Sequence, residues 1–230
     1  MRRFSLAFLL MMVCATSLAA QRRQPVFTSD PDMWVSGGIA GFTGNGVNDG
    51  RSASSWDFGN STNWQYSASL EKTLSGGSSS FGITGTYARV PFVYVGPALP
   101  VPGGGGGTTC TRCDAHLDMM TLLGTFHVGA GEGFHQVIEF NGGIVAYKNL
   151  TREPDGAKLA PTGGNIDPLF SLGYGIGYGF SNRTQIDFVP DYAIAIHERS
   201  GLSNGVSNTN SMRSLRVTVR MGFGGRSGRR

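Results

Sequence analysis

The chain's 230 residues suffice for one β domain, and its 36 glycines, about twice the usual share, are split between loops and alternating segments, which argues against simple disorder. The formal charge of +4 falls to +2 without Arg2 and Arg3, and Arg226, Arg229 and Arg230 form a solvated tail, so the basic balance is no nucleic-acid signature. No stretch after the N-terminal region approaches eighteen consecutive apolar residues, which excludes a transmembrane helix.

At the N-terminus, Arg2 and Arg3 precede an apolar run from Phe4 to Val13 broken only by Ser5. Ser17-Leu18-Ala19 then places small residues where a signal peptidase reads. This predicts an export signal over 1–20, cleaved after Ala19 or Ala20. Cys14 lies inside the apolar run, behind Met11, Met12 and Val13, which do not resemble a lipobox. The expected sequel is an N-terminal periplasmic segment (21–31), a β-barrel (32–224) and a basic C-terminal tail (225–230).

Eight strands are predicted, near 32–44, 62–74, 80–95, 115–130, 133–148, 166–180, 183–198 and 212–224, each at least the length a tilted membrane strand needs. In Asn63–Leu74, Trp64, Tyr66, Ala68, Leu70 and Leu74 share one face and Asn63, Gln65, Ser67, Ser69, Glu71 and Thr73 the other. That is period two with Lys72 as the one exception, the mark of a strand between two different media. Pro168–Phe180 sets Phe170, Leu172, Tyr174, Ile176, Tyr178 and Phe180 against Ser171, Gly173, Gly175, Gly177 and Gly179, a small-residue face suited to a narrow barrel interior. In Thr184–Ile196, Pro190 interrupts the ladder and predicts a bulge. Arg216–Phe223 sets Val217, Val219, Met221 and Phe223 against Arg216, Thr218 and Arg220. Segments 32–44 and 115–130 alternate poorly, and their registers are not readable.

The connectors alternate in length. Asn45–Ser61, Gly96–Asp114, Asn149–Asn165 and Arg199–Ser211 are long, whereas Ser75–Ser79, Gly131-Glu132 and Ser181-Asn182 are tight. Long loops at one end and short turns at the other are how membrane barrels are built, and a soluble sandwich has no reason to sort them so. The fold class predicted is therefore all-β: an eight-stranded antiparallel up-and-down transmembrane β-barrel.

Lipid would require the apolar face outward. Glu71, Glu139, Asp187, Asp191, Arg216 and Arg220 then form an interior charge network, joined by His135 and His127, because a buried charge without a partner is costly. The same residues could instead line a gated or leaky narrow pore. Trp34, Trp64, Tyr66, Phe92, Tyr94, Tyr147, Phe180 and Phe223 are expected to form interfacial girdles. Trp56 and Phe58 fall in the first long loop, either to anchor a partner or to fold the loop onto the rim. In the second long loop, Gly103–Gly107 reads as a flexible spacer before Cys110-Thr111-Arg112-Cys113. That pair could be half a metal site with Asp114 and His116, or a redox pair, but in an exported protein a structural disulfide is the plain expectation.

With alternation, connector parity and export signal together, the chain resembles the small eight-stranded outer-membrane proteins of Gram-negative bacteria, such as the OmpX and Opa-type proteins and the barrel half of OmpA. The resemblance covers about residues 32–224 and is architectural. It implies residence in outer-membrane lipid, insertion by the barrel-assembly machinery, which reads a terminal aromatic, and loops free to meet an extracellular partner. Here Phe223 ends the alternating strand, but Gly224–Arg230 follow it. Outer-membrane deacylases and palmitoyltransferases use a rim His with a Ser or an acid, and His197, Glu198 and Ser200 stand at the rim here without the deacylase spacing. The function expected is a non-catalytic outer-membrane barrel with a polar, salt-bridged interior and loops for adhesion, shielding or partner contact. No catalytic, cofactor or metal residue is assigned. A lipid-modifying enzyme or narrow pore, and a secreted soluble barrel of reversed polarity around an apolar ligand, stay open.

Overall fold

A computed structural model describes residues 30–59, 62–74, 77–153 and 155–225; the segment expected to be an export signal and the last five residues lie outside that set. The strands are β1 (Met33–Gly44), β2 (Val47–Asp49), β3 (Ser54–Asp57), β4 (Asn63–Thr73), β5 (Ser79–Val95), β6 (Cys113–Val128), β7 (Gly133–Arg152), β8 (Asn165–Ser181), β9 (Thr184–Ile196) and β10 (Thr209–Phe223). β1 and β4 to β10 each pair antiparallel with their chain neighbours, and β1 closes the sheet on β10, from Met33 opposite Phe223 to Gly44 opposite Met212. The result is an eight-stranded antiparallel up-and-down β-barrel of the transmembrane type. Closure removes the sheet edges that would otherwise seek partners. Two further strands, β2 and β3, form a hairpin inside the first long loop, and β3 adds to the upper end of β5.

The outer surface is apolar. Val35, Leu70, Ile83, Leu122, Phe140, Leu172, Phe188 and Val219 are each more than two-fifths exposed, one from each barrel strand. Such a continuous apolar belt is far larger than a water-soluble monomer carries. The interior is not uniform. Toward the short-turn end it is polar, with Glu71, Ser80, Thr84, Thr125, His127, Glu139, Gln185, Asp187 and Arg220 buried. Toward the long-loop end it is apolar, built on Phe42, Val90, Phe92, Tyr94, Leu117, Met119, Val145, Tyr147 and Leu169.

This two-part lumen corrects several expectations. The polar, salt-bridged interior extends through only half the barrel. Phe92, Tyr94 and Tyr147 point inward and are almost wholly buried, so they belong to the core and not to a girdle. Trp34 also points inward, under the Arg220 guanidinium at 4.9 Å from its ring. Trp64, Tyr66, Phe180 and Phe223 do face outward. The poor alternation of β6 now has a cause: Ala115, Leu117, Met119 and Leu123 fill the apolar upper lumen while Met120 and Leu122 cover the outside, so both faces are hydrophobic. No bulge occurs at Pro190. Gly173 opposes Asp191 and Ile176 opposes Phe188, an unbroken register.

Candidate functional site

In the polar half of the lumen, charges from four strands converge. Arg220 Nη2 of β10 donates to Glu71 Oε2 of β4 at 2.6 Å, and Glu71 also accepts from the Ser69 and Ser80 hydroxyls at 2.7 and 2.5 Å. Arg220 Nη1 lies 4.0 Å from Asp187 Oδ2 of β9, and that carboxylate accepts the Gln185 amide at 3.1 Å. Arg216 of β10 pairs with Glu139 of β7, and His127 Nδ1 meets the other Glu139 oxygen at 3.1 Å. His135 stands 3.8 Å from Asp187. Among the described residues Asp191 has no ion pair. With Arg216, Asn141, Thr121, Thr86 and Gln65 it lines a cavity of about 50 Å³ between the two halves, and its Oδ2 has no hydrogen-bond partner. Chemically this lattice sets two guanidiniums against the Glu71, Glu139 and Asp187 carboxylates, opposed charges that can close a narrow tube. Their mutual pairing, not net stabilisation, is what such an arrangement secures.

At the long-loop end the first loop turns inward. The β2–β3 hairpin inserts Trp56 and Phe58 into the barrel mouth, where both are almost wholly buried. Trp56 meets Tyr147 edge-on with centroids 5.7 Å apart, and Phe58 meets Phe92 at 6.4 Å, the geometry aromatic quadrupoles prefer. Each buried aromatic of this size contributes about 1.5–3 kcal/mol relative to exposure, so the hairpin is a seated plug. The remaining loops lock over it. Gly50 of the first loop and Gly201 of the fourth pack backbone against backbone with no room for a Cβ. Gly107 adopts φ of +100° against Leu159 and Thr162 of the third loop, and Thr108 bridges Leu159. The glycine run is thus a close-packed seam, not a spacer: small residues let two loops approach. Cys110 and Cys113 are joined as a disulfide packed on the same apolar cluster, at the start of β6. Among the described residues no metal-ligating cluster occurs.

His197, one residue past β9, lies beneath this cover and not on the rim. Its Nδ1 bonds Asp167 Oδ2 of β8 at 2.8 Å, its Nε2 is 3.7 Å from Asp49 Oδ1 of β2, and Trp56 stacks edge-on at 5.8 Å. Burial works against a charged ring here, but the Asp167 carboxylate, which accepts from Nδ1, and the nearby Asp49 carboxylate outweigh it and push the His197 pKa up to about 9. Burial likewise acts to raise the Asp49 carboxyl, but His197 and Ser52 together hold it below the usual value. Glu198 instead pairs with Arg51 at the surface, and Ser200 is part of the seam with Gly50. The rim group His197, Glu198 and Ser200 is therefore not assembled around a nucleophile. Asp49 and Asp167, the ring's real partners, carry no pattern in the sequence that marks them.

No protein-family model and no curated protein sequence matches the chain. Among solved structures, it is similar to Neisserial surface protein A, at 11% identity and a TM-score of 0.50 over 85% of this chain and 100% of that one. It also matches Ail, the attachment invasion locus protein of Yersinia pestis, at 10% identity and a TM-score of 0.41 over 84% of this chain and 99% of that one. The N-terminal β-barrel domain of Pseudomonas aeruginosa OprF matches at 13% identity and a TM-score of 0.37, over 81% and 97%. The fold is that of the small eight-stranded outer-membrane barrels.

Proposed function

We propose that the chain is a non-catalytic integral outer-membrane protein, exported by its N-terminal signal and inserted by the barrel-assembly machinery. It is closed to solutes and presents a fixed long-loop surface outside the cell for adhesion, shielding or contact with a partner. One observation carries the reading: the lumen is plugged twice, by an ionic lattice in one half and by the seated hairpin in the other, while an apolar belt runs round the outer face. A soluble barrel of reversed polarity would need the opposite sorting. An open narrow pore would need a continuous polar path, which the apolar half of the lumen interrupts.

Two measurements test this. In a carbonate-washed outer-membrane fraction the protein should be retained and should migrate differently before and after boiling, and the purified barrel in a planar bilayer should give no steady conductance. Release into the soluble fraction, or a sustained open channel, would overturn the membrane or the closed reading respectively. Orientation is testable with the lysines. Lys158 is exposed in the third loop and Lys72 is exposed near the short-turn end. A membrane-impermeant amine reagent on intact cells should modify Lys158 and spare Lys72 until the cells are permeabilised; the reverse pattern would invert the topology.

A further inference from the structure

We infer that the loop-1 hairpin is a proton-latched plug: a single buried imidazolium, His197, ties together carboxylates from two separate elements, Asp49 of the hairpin and Asp167 of the barrel wall, and thereby fixes β2–β3 in the mouth. All three side chains are almost entirely buried. Without the proton, two carboxylates would flank a neutral ring in a water-poor site, which is costly.

Among the described residues no substitute cation pairs with Asp49 or Asp167. From β8, Asp167 bonds Nδ1, while Asn165 Nδ2, itself a donor, lies 3.1 Å from Nε2 and so favours the unprotonated nitrogen, opposing the two carboxylates. From β2 and its turn come Asp49 and the Ser52 hydroxyl bound to it, and from β3 the Trp56 ring. From β7, Tyr147 stands behind Trp56, its hydroxyl accepting the Asn210 amide of β10 at 3.2 Å. Tyr94 of β5 lies on the Asp49 side. The nearby cation, Arg51, is exposed and committed to Glu198 at 3.4 Å. Asn208 of the fourth loop donates to the His197 carbonyl at 2.8 Å, which holds the backbone and not the ring.

The direction with pH follows from linkage. His197 in the folded protein is raised above its ordinary 6.5 to about 9, so its contribution is complete below pH 6.5, fades above that and is lost past about pH 9. Asp49 is held below its ordinary 3.8, so its contribution is complete above about pH 4 and is lost as pH falls through the lowered value. The latch is therefore tightest between about pH 4 and 6.5. Other anchors remain when it opens: the aromatic burial, the β3–β5 pairing and the bond from the Asn48 amide to the Ser207 carbonyl at 3.0 Å. Release loosens the hairpin without unfolding the barrel.

The test is amide hydrogen exchange on the full mature chain folded in detergent micelles, corrected for intrinsic exchange, with mid-β9 amides as internal reference. Wild-type amides within Val47–Asp57 should exchange about tenfold or more faster at pH 10 than at pH 6, since the shift of His197 corresponds to more than a tenfold change in equilibrium. His197→Gln should exchange fast at both pH values while the reference stays slow. A His197→Gln hairpin as protected as wild type, or one keeping the wild-type pH dependence, overturns the inference. Should that variant fail to give a heat-shifted barrel, Asp49→Asn keeps the bond between His197 and Asp167 and should alone bring pH 6 exchange toward the pH 10 rate; unchanged protection there is equally decisive against the latch.

Discussion

Replacing Arg220 by Met should destabilise the barrel by about 3–5 kcal/mol, the cost of stripping the cation from a buried ionic group. Arg220 is 1% exposed, and it serves Glu71, Ser80 and, more distantly, Asp187 while resting on Trp34. Methionine would fill much of the space over the Trp34 ring but would leave Glu71, among the described residues, hydrogen-bonded to the Ser69 and Ser80 hydroxyls alone and Asp187 to Gln185, with His135 more distant. The same logic makes the double variant informative. In Arg220→Met with Glu71→Gln the orphaned charge on Glu71 disappears, so the double change should cost clearly less than the sum of the two single ones. Urea unfolding in micelles, followed by the boiled-to-unboiled shift, measures all three. Additive effects, or a single-variant cost under about 1 kcal/mol, would mean that water enters this half of the lumen and solvates the charges, and the plug would then be a wet one.

How much of this was legible in the residues follows from what each pattern responds to. Period two reports the media on the two sides of a strand, so β4, β8 and β10, lipid-facing on one side and polar on the other, declared both type and facing. The long and short connectors fixed the ends. The same rule fails where the lumen turns apolar: β6 has hydrophobic residues on both faces, and Phe92, Tyr94 and Tyr147 look like girdle aromatics because only the inserted hairpin makes the interior a place for them. That hairpin was invisible as structure because its strands are only three and four residues long and gain their stability from the barrel wall. The placement of Glu71, Glu139, Asp187, Arg216 and Arg220 on inward positions follows from parity, but who pairs with whom does not. Glu71 and Arg220 are 149 residues apart and meet only because β1, lying between their strands, closes the barrel. The partners of His197 were hidden for the same reason.

Changing Val219 to Arg should all but abolish accumulation in the outer membrane. Val219 is 42% exposed on the outward face of β10, opposite Gly37 of β1 and Ile186 of β9, and the sheet around it offers no acidic side chain on that face for the guanidinium to reach. A lipid-facing Arg near the midplane costs about 2–4 kcal/mol, a large part of a small barrel's stability, and Leu70→Arg on β4, 44% exposed, should behave alike. The matched control is Leu99, which is 78% exposed but sits in the second long loop above the belt. Leu99→Arg places the same side chain in water and should leave membrane levels unchanged. Quantitative blotting of washed outer membranes separates the cases, because a general intolerance of arginine would depress all three variants together. If Val219→Arg accumulated as well as Leu99→Arg, the outward face could not be in lipid. The belt of exposed Leu, Ile, Phe and Tyr would then have to be covered by other protein, since water alone does not tolerate an apolar surface running round a whole barrel.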